Sequence, residues 1–168
     1  MSFKGKYTPL LLLGTLAFIP AACSTDDCEG NKNSLPYAEF YTSAISPKQI
    51  TVDSLTVYGQ GAPGDSLLTN NASLSSVYLP FDIDSEETTY FFKYNRKELA
   101  ERNITDRITF RYNIRPMFVS SACGVIYQYE VKNIEYTTHL IDSVTCPGGV
   151  ITNADSPNIR VYFRVSQD

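Results

Sequence analysis

"ITFRYNI" (residues 108–114) decides the fold class. Ile108, Phe110, Tyr112 and Ile114 alternate with Thr109, Arg111 and Asn113. Successive strand side chains point to opposite faces, so a period of two gives one buried and one wet face. The period recurs at Val125, Tyr127, Tyr129 and Val131, set against Ile126, Gln128, Glu130 and Lys132. It recurs again at Ile159, Val161, Phe163 and Val165, set against Arg160, Tyr162 and Arg164. Shorter runs of this kind lie at 37–42, 54–58, 75–81, 88–94, 117–121 and 135–144. Residues 59–65, 82–87, 147–149 and 153–157 carry turn chemistry and separate the runs. Only 96–102 has helix formers in series, over scarcely two turns. About eight or nine short strands predict an all-β, antiparallel β-sandwich, immunoglobulin-like, with a barrel as the alternative.

The N-terminus has a different character. Lys4 and Lys6 precede a stretch, 7–22, with no charge. A basic leader, a short apolar run and small residues at its end read as a secretory signal peptide. The run falls short of the roughly 20 apolar residues a membrane helix needs, and Pro9 and Pro20 bracket it. The expected organisation is a signal at 1–22, a tether at 23–34 and one β-sandwich domain at 35–168. Removing 1–22 from the 168 residues leaves 12 of the 14 basic residues against 18 acidic ones. That balance argues against nucleic acid as a partner.

Ala21-Ala22-Cys23 resembles a bacterial lipobox, with Pro20 where that motif carries an aliphatic residue. The resemblance implies a diacylglycerol thioether and N-acylation at Cys23, which makes the membrane a partner through that lipid. Asp26 and Asp27 resemble the export signal of Bacteroidota lipoproteins, so the expected location is the outer membrane, facing periplasm or cell surface. Cys28, Cys123 and Cys146 then remain in an oxidising compartment, where a disulfide is expected. Cys28–Cys123 is the favoured pair, because it would staple the tether to the core. Cys123–Cys146 is the alternative. Cys146 sits in a turn-like Thr-Cys-Pro-Gly-Gly and is the expected free thiol of the favoured scheme.

Four further stretches carry a wider resemblance: Asp53-Ser-Leu-Thr-Val-Tyr-Gly59, Val77-Tyr-Leu-Pro80, Phe118-Val-Ser-Ser-Ala-Cys-Gly124 and the closing run 157–165. With the lipobox and the cysteine that follows it, these resemble a family of small uncharacterised Bacteroidota envelope lipoproteins, a domain of unknown function. The resemblance implies the envelope location and a joint role for Cys28 and Cys123. It implies no activity.

Chemistry-bearing residues are sparse. The lone His139 has no second histidine to build a metal site. Asp82, Asp84, Glu86 and Glu87 suit calcium as oxygen ligands but lack the spacing of a calcium loop. The glycines of 59–64 lack the Lys-Ser/Thr of a phosphate loop. Ser120 and Ser121 lie near Cys123, yet no Ser/His/Asp triad can be nominated. Aromatic residues at 90–92 and at Tyr127 and Tyr129 would put rings on both faces of their strands, where exposed Tyr can seat a partner. Asp53-Ser54-Leu55, Asp65-Ser66-Leu67 and Asp142-Ser143-Val144 resemble the O-glycosylation sequon of Bacteroidota envelope proteins, with Ser66 beside a glycine-rich loop. The expected function is a lipid-anchored, non-catalytic binding or structural module for an envelope protein or glycan, without cofactor. The alternative is an envelope hydrolase acting on glycan or peptide.

Overall fold

The computed structural model describes residues 34–61, 67–121, 123–154 and 156–164. The expected signal at 1–22, Cys23, Cys28 and Ser66 lie outside these residues. Among the described residues, ten strands and one helical turn run in the order β1 (Tyr37–Thr42), β2 (Val52–Gly59), β3 (Leu67–Leu74), β4 (Ser76–Tyr78), β5 (Glu87–Tyr94), α1 (Lys97–Ala100), β6 (Thr105–Ser120), β7 (Gly124–Tyr136), β8 (Ile141–Thr145), β9 (Val150–Ile151) and β10 (Ile159–Phe163). They form a four-stranded sheet, β4-β1-β10-β8, and a six-stranded sheet, β3-β2-β5-β6-β7-β9. Every pairing is antiparallel except β1 with β10. The chain is an all-β sandwich, as the alternation requires.

The inner faces are those the period of two marks. Phe40, Val161 and Phe163 from the smaller sheet meet Leu55, Phe92, Ile108 and Phe110 from the larger one. Phe40 packs edge-on against Phe163 at 5.3 Å and against Phe92 at 6.3 Å. At one end Phe81 closes the core, stacked on Tyr112 at 4.3 Å and edge-on to Tyr129 at 5.2 Å.

The structure differs from the sequence reading in four places. β3 was not marked, because three register shifts between β2 and β3 break the alternation and Asn71 adopts a left-handed conformation. The two-residue β9 was not marked either. The expected strand at 117–121 is the continuation of β6 through Pro116. Tyr112 N–H donates toward the β5 side, to Glu86 O at 3.0 Å. By alternation the Pro116 nitrogen faces that same side, which β5 leaves open beyond Arg111, so the missing N–H breaks no ladder bond. Finally, 135–144 is broken at 137–140, where the chain crosses from β7 to β8.

That crossing is built on Asp106. Its side chain is 0% exposed. Its carboxylate accepts hydrogen bonds from Tyr94 OH (2.9 Å), Thr137 Oγ1 (2.7 Å) and the backbone N–H groups of His139 (2.8 Å), Leu140 (2.8 Å) and Ile141 (3.0 Å). Burial would raise its pKa, but the N–H groups of His139, Ile141 and Leu140, with the Thr137 hydroxyl, outweigh burial and hold it below the usual carboxylate value.

Replacing Asp106 by Ala orphans these donors, with an expected loss of about 3 kcal/mol or more in urea-unfolding free energy. Because the folded carboxyl titrates below the roughly 3.9 of an unfolded aspartate, its stabilisation is complete at neutral pH. It is lost as the pH falls below about 4 and through the folded value. Asp106→Asn should therefore be less stable at pH 7 and show a shallower loss of stability in acid; an unchanged acid limb would refute this role.

Candidate functional site

The most developed exposed surface is the outer face of the four-stranded sheet. The core positions of β1 and β10 alternate with Tyr37, Glu39 and Tyr41 on one strand and Arg160 and Tyr162 on the other. The parallel register sets Glu39 beside Arg160 and Tyr41 beside Tyr162, while β4 sets Tyr78 beside Tyr37. Four tyrosine rings are thus gathered on one face. Tyr37 stacks on Tyr78 at 4.6 Å, and Tyr41 lies 5.9 Å from Tyr162. The Arg160 guanidinium sits 5.8 Å from the Tyr41 ring centre, within cation–π range.

Polar groups fix these rings. Tyr37 OH donates to Ser76 Oγ at 3.0 Å. Tyr41 OH donates to Glu39 Oε2 at 2.5 Å, and that hydrogen bond holds the Tyr41 hydroxyl above its ordinary pKa. Beside Tyr162 lies an open groove of about 730 Å³, bounded by the loop Ser43 to Pro47, Asp142 and Ser143. Asp142 accepts from Ser43 Oγ at 2.5 Å and from Arg164 Nε at 3.1 Å, and both pull its pKa down.

The aromatic residues singled out from the sequence are placed differently. Tyr90, Phe92 and Tyr129 are buried in the core, and Phe91 stacks on Tyr58 at 5.1 Å on the outer side of the larger sheet. The rings of β1, β4 and β10 lie on the outer face of the smaller sheet, where Tyr78 is exposed and Tyr37, Tyr41 and Tyr162 are half-buried. Their signal was present in the sequence as the wet phase of two short strands: Tyr37, Glu39 and Tyr41, then Arg160 and Tyr162.

Two loops that the sequence analysis treated separately come together at one end. Gly59, Gln60 and Gly61 face Asp82, Ser85 and Glu87 across a cleft of about 600 Å³. Its carboxylates are already engaged: Asp82 Oδ1 accepts Asp84 N–H at 2.9 Å, and Glu87 pairs with Arg111 at 2.7 Å. Among the described residues no group of three or more His, Cys, Asp or Glu is placed to hold a metal ion.

His139 contributes its backbone N–H to Asp106, and its side chain is exposed. Ser120 Oγ accepts Cys123 N–H at 3.0 Å, a turn contact at the tip of the β6–β7 hairpin. Ser143 is half-buried beside Tyr162, and Ser54 sits in a β2 bulge with φ of 54°. Cys146 is a free thiol, so the alternative Cys123–Cys146 bridge is not formed. Distance explains this. Cys146 lies in the turn whose Gly149 carbonyl accepts Val131 N–H, and Val131 is eight residues along β7 from Cys123, roughly 26 Å at strand spacing. A disulfide tolerates about 7 Å between Cα atoms. Cys123 itself is not a free thiol.

The sandwich therefore presents a polar, aromatic sheet face as its candidate site. The chain belongs to a family of unknown function, DUF6452, whose family model matches residues 54–163. No curated protein and no solved structure matches it. The matched segment begins within β2 and ends with β10, so β1 lies outside it although it sits inside the smaller sheet.

Burial pushes the Cys146 thiol pKa up, against a backbone hydrogen bond from Gly149. At neutral pH Cys146 should therefore react with a thiol reagent several-fold more slowly than a free cysteine peptide, and at the peptide rate once the protein is unfolded. Equal rates in the folded state would contradict the burial.

Proposed function

We propose that the protein is a lipid-anchored, non-catalytic module of the cell envelope that holds a glycan or protein partner on the tyrosine face of its smaller sheet. The observation that carries the reading is that face: four rings set beside Arg160, Glu39 and an open groove. Tyrosine and arginine are the residues that concentrate binding energy at interfaces, because they combine large contact area with a polar tip. The rings are held in place before any partner arrives, which lowers the ordering penalty of association.

The anchor reading is supported by the lipobox-like Ala21-Ala22-Cys23 after a basic, then uncharged, leader. An anchored protein beyond the inner membrane is in an oxidising space. That fits a Cys28–Cys123 bridge, with Cys146 left as the free thiol. O-glycosylation at Ser66, and at Ser54 or Ser143, belongs to the same proposal. Ser143 borders the groove, so a sugar there would narrow it.

Mass spectrometry of the purified mature protein should find acyl mass on Cys23, a peptide joined through Cys28 and Cys123, and sugar on Ser66. Full-length protein without acyl mass would remove the anchor. For binding, detergent-solubilised envelopes and a glycan array should each be probed with wild type and with the Tyr41→Ala/Tyr162→Ala variant. The variant should lose about 2 kcal/mol, or roughly thirtyfold in affinity, without a change in melting temperature. A blank array together with no stoichiometric partner, or measured turnover of glycan or peptide, would overturn the reading.

A further inference from the structure

The β6–β7 hairpin does not stop where the sandwich does. Beyond Tyr112, whose N–H still meets the chain at Glu86, β6 adds eight residues to Ser120, roughly 26 Å at strand spacing. Residues 116–126 contain no charged side chain. Phe118 is 67% exposed, Val125 47%, Val119 41% and Met117 40%. Phe118 and Val125 pair across the hairpin in the phase that faces the core farther back, but no strand of the smaller sheet reaches far enough to cover them. Isolated exposed apolar residues are ordinary, whereas several together on a projection mark a contact surface.

The position of that projection says what it meets. Leu79 N–H donates to Pro36 O at 2.8 Å, and Phe81, two residues on, stacks on Tyr112. β1 therefore begins at the end of the sandwich from which the hairpin projects. The eleven residues 23–33 precede that point and can extend at most about 37 Å, comparable to the length of the projection. A chain anchored at Cys23 is thus held with the uncharged tip toward its anchor. The first charged groups back from the tip are Arg115 and Glu130, which are paired, with Lys132 also on Glu130. No charged side chain of the hairpin itself has to be desolvated when residues 116–126 enter an apolar boundary.

We propose that Met117, Phe118, Val119 and Val125 rest in the lipid surface that carries the Cys23 anchor. This second contact, which builds on the anchored reading above, fixes the orientation of the sandwich on the membrane. One lipidated residue is a swivel; an apolar tip beside it makes the contact two-point and turns the tyrosine face to a constant angle.

The chain has no tryptophan, so Phe118→Trp is a single indole reporter that can be excited apart from the tyrosines. It is made in the acylated mature protein and reconstituted into phosphatidylethanolamine–phosphatidylglycerol vesicles. Its emission should move to shorter wavelength and be quenched by phospholipid brominated on the acyl chains. Ile45→Trp, on the fully exposed loop that follows β1 at the opposite end, should show neither effect. Solvent-like, unquenched Phe118→Trp emission in protein with verified acyl mass overturns the tip contact and leaves the anchor standing. A blue shift that follows protein concentration rather than lipid assigns the tip to a second copy of the chain and overturns the proposal equally. Quenching in protein that carries no acyl mass supports the tip and removes the anchor, and absence of both removes both.

Discussion

The buried carboxylate of Asp106 is the constraint on which the relation of the two sheets depends. The chain leaves the larger sheet at Tyr136 and enters the smaller one at Ile141. So short a crossing turns the N–H groups of His139, Leu140 and Ile141 away from any ladder. Buried donors without acceptors are costly, and one ionised carboxylate accepts all three. The position of β8 against β6 is fixed by that contact. Through Val161 opposite Val144 it sets β10, and through Ala38 opposite Ile159 it sets β1. The tyrosine face, assembled from β1 and β10, therefore inherits its geometry from a residue on the other sheet.

Tyrosine performs a second task inside the molecule. Several large core positions are Tyr rather than Phe, and their hydroxyls reach the ends of the sandwich. Tyr94 bonds Asp106, Tyr90 bonds Pro80 O, and Tyr112 bonds Asp82 O at 2.9 Å and Thr88 at 2.6 Å. Each ring fills the core while its polar tip holds a loop. Burial raises the pKa of all three hydroxyls, that of Tyr112 to about 12, so they remain protonated donors across the physiological range. The loop 79–86 is held this way, with Phe81 beneath it and Tyr90 and Tyr112 bonded to its backbone.

How far the sequence could be read follows from the same features. β1 was legible to the residue, and β5 and β10 nearly so, because each buries one face without interruption. β3 was not, since a bulge at Asn70 and Asn71 puts successive side chains out of phase. Lys132 does the same on β7: opposite Arg111 and Tyr112 it is the extra residue that moves the core phase from Ile134 to Val131 and Tyr129. The tyrosine face was half legible: the wet phase of β10 was visible, but the denser aromatic runs at 90–92 and 127–129 are the stronger signal, and Tyr90, Phe92 and Tyr129 are core. Asp106 was the most informative miss. It stands in register with Ile104, Ile108, Phe110 and Tyr112, so the alternation that defined the strand also placed a carboxylate on its buried side. An acid in the core phase of a strand signals a backbone turn that needs an acceptor.

The hairpin shows why strand length can itself carry functional information. Two strands without a third neighbour are marginal in water, and among the described residues β6 beyond Ile114 pairs with β7 alone. Its base is secured by Arg115 and Lys132 on Glu130, and its turn by the Ser120–Cys123 contact; between them Ile126 is buried, while Met117, Phe118, Val119 and Val125 stay exposed. A projecting hairpin selected only for stability would place charges at its tip, as exposed strand edges do to avoid self-association. This one places none over residues 116–126. Uncharged apolar strands that extend past their own core make physical sense where the medium they enter is less polar than water. On the proposed anchoring, that requirement falls at the end where the chain enters β1, which would tie the shape of the fold to a lipid surface.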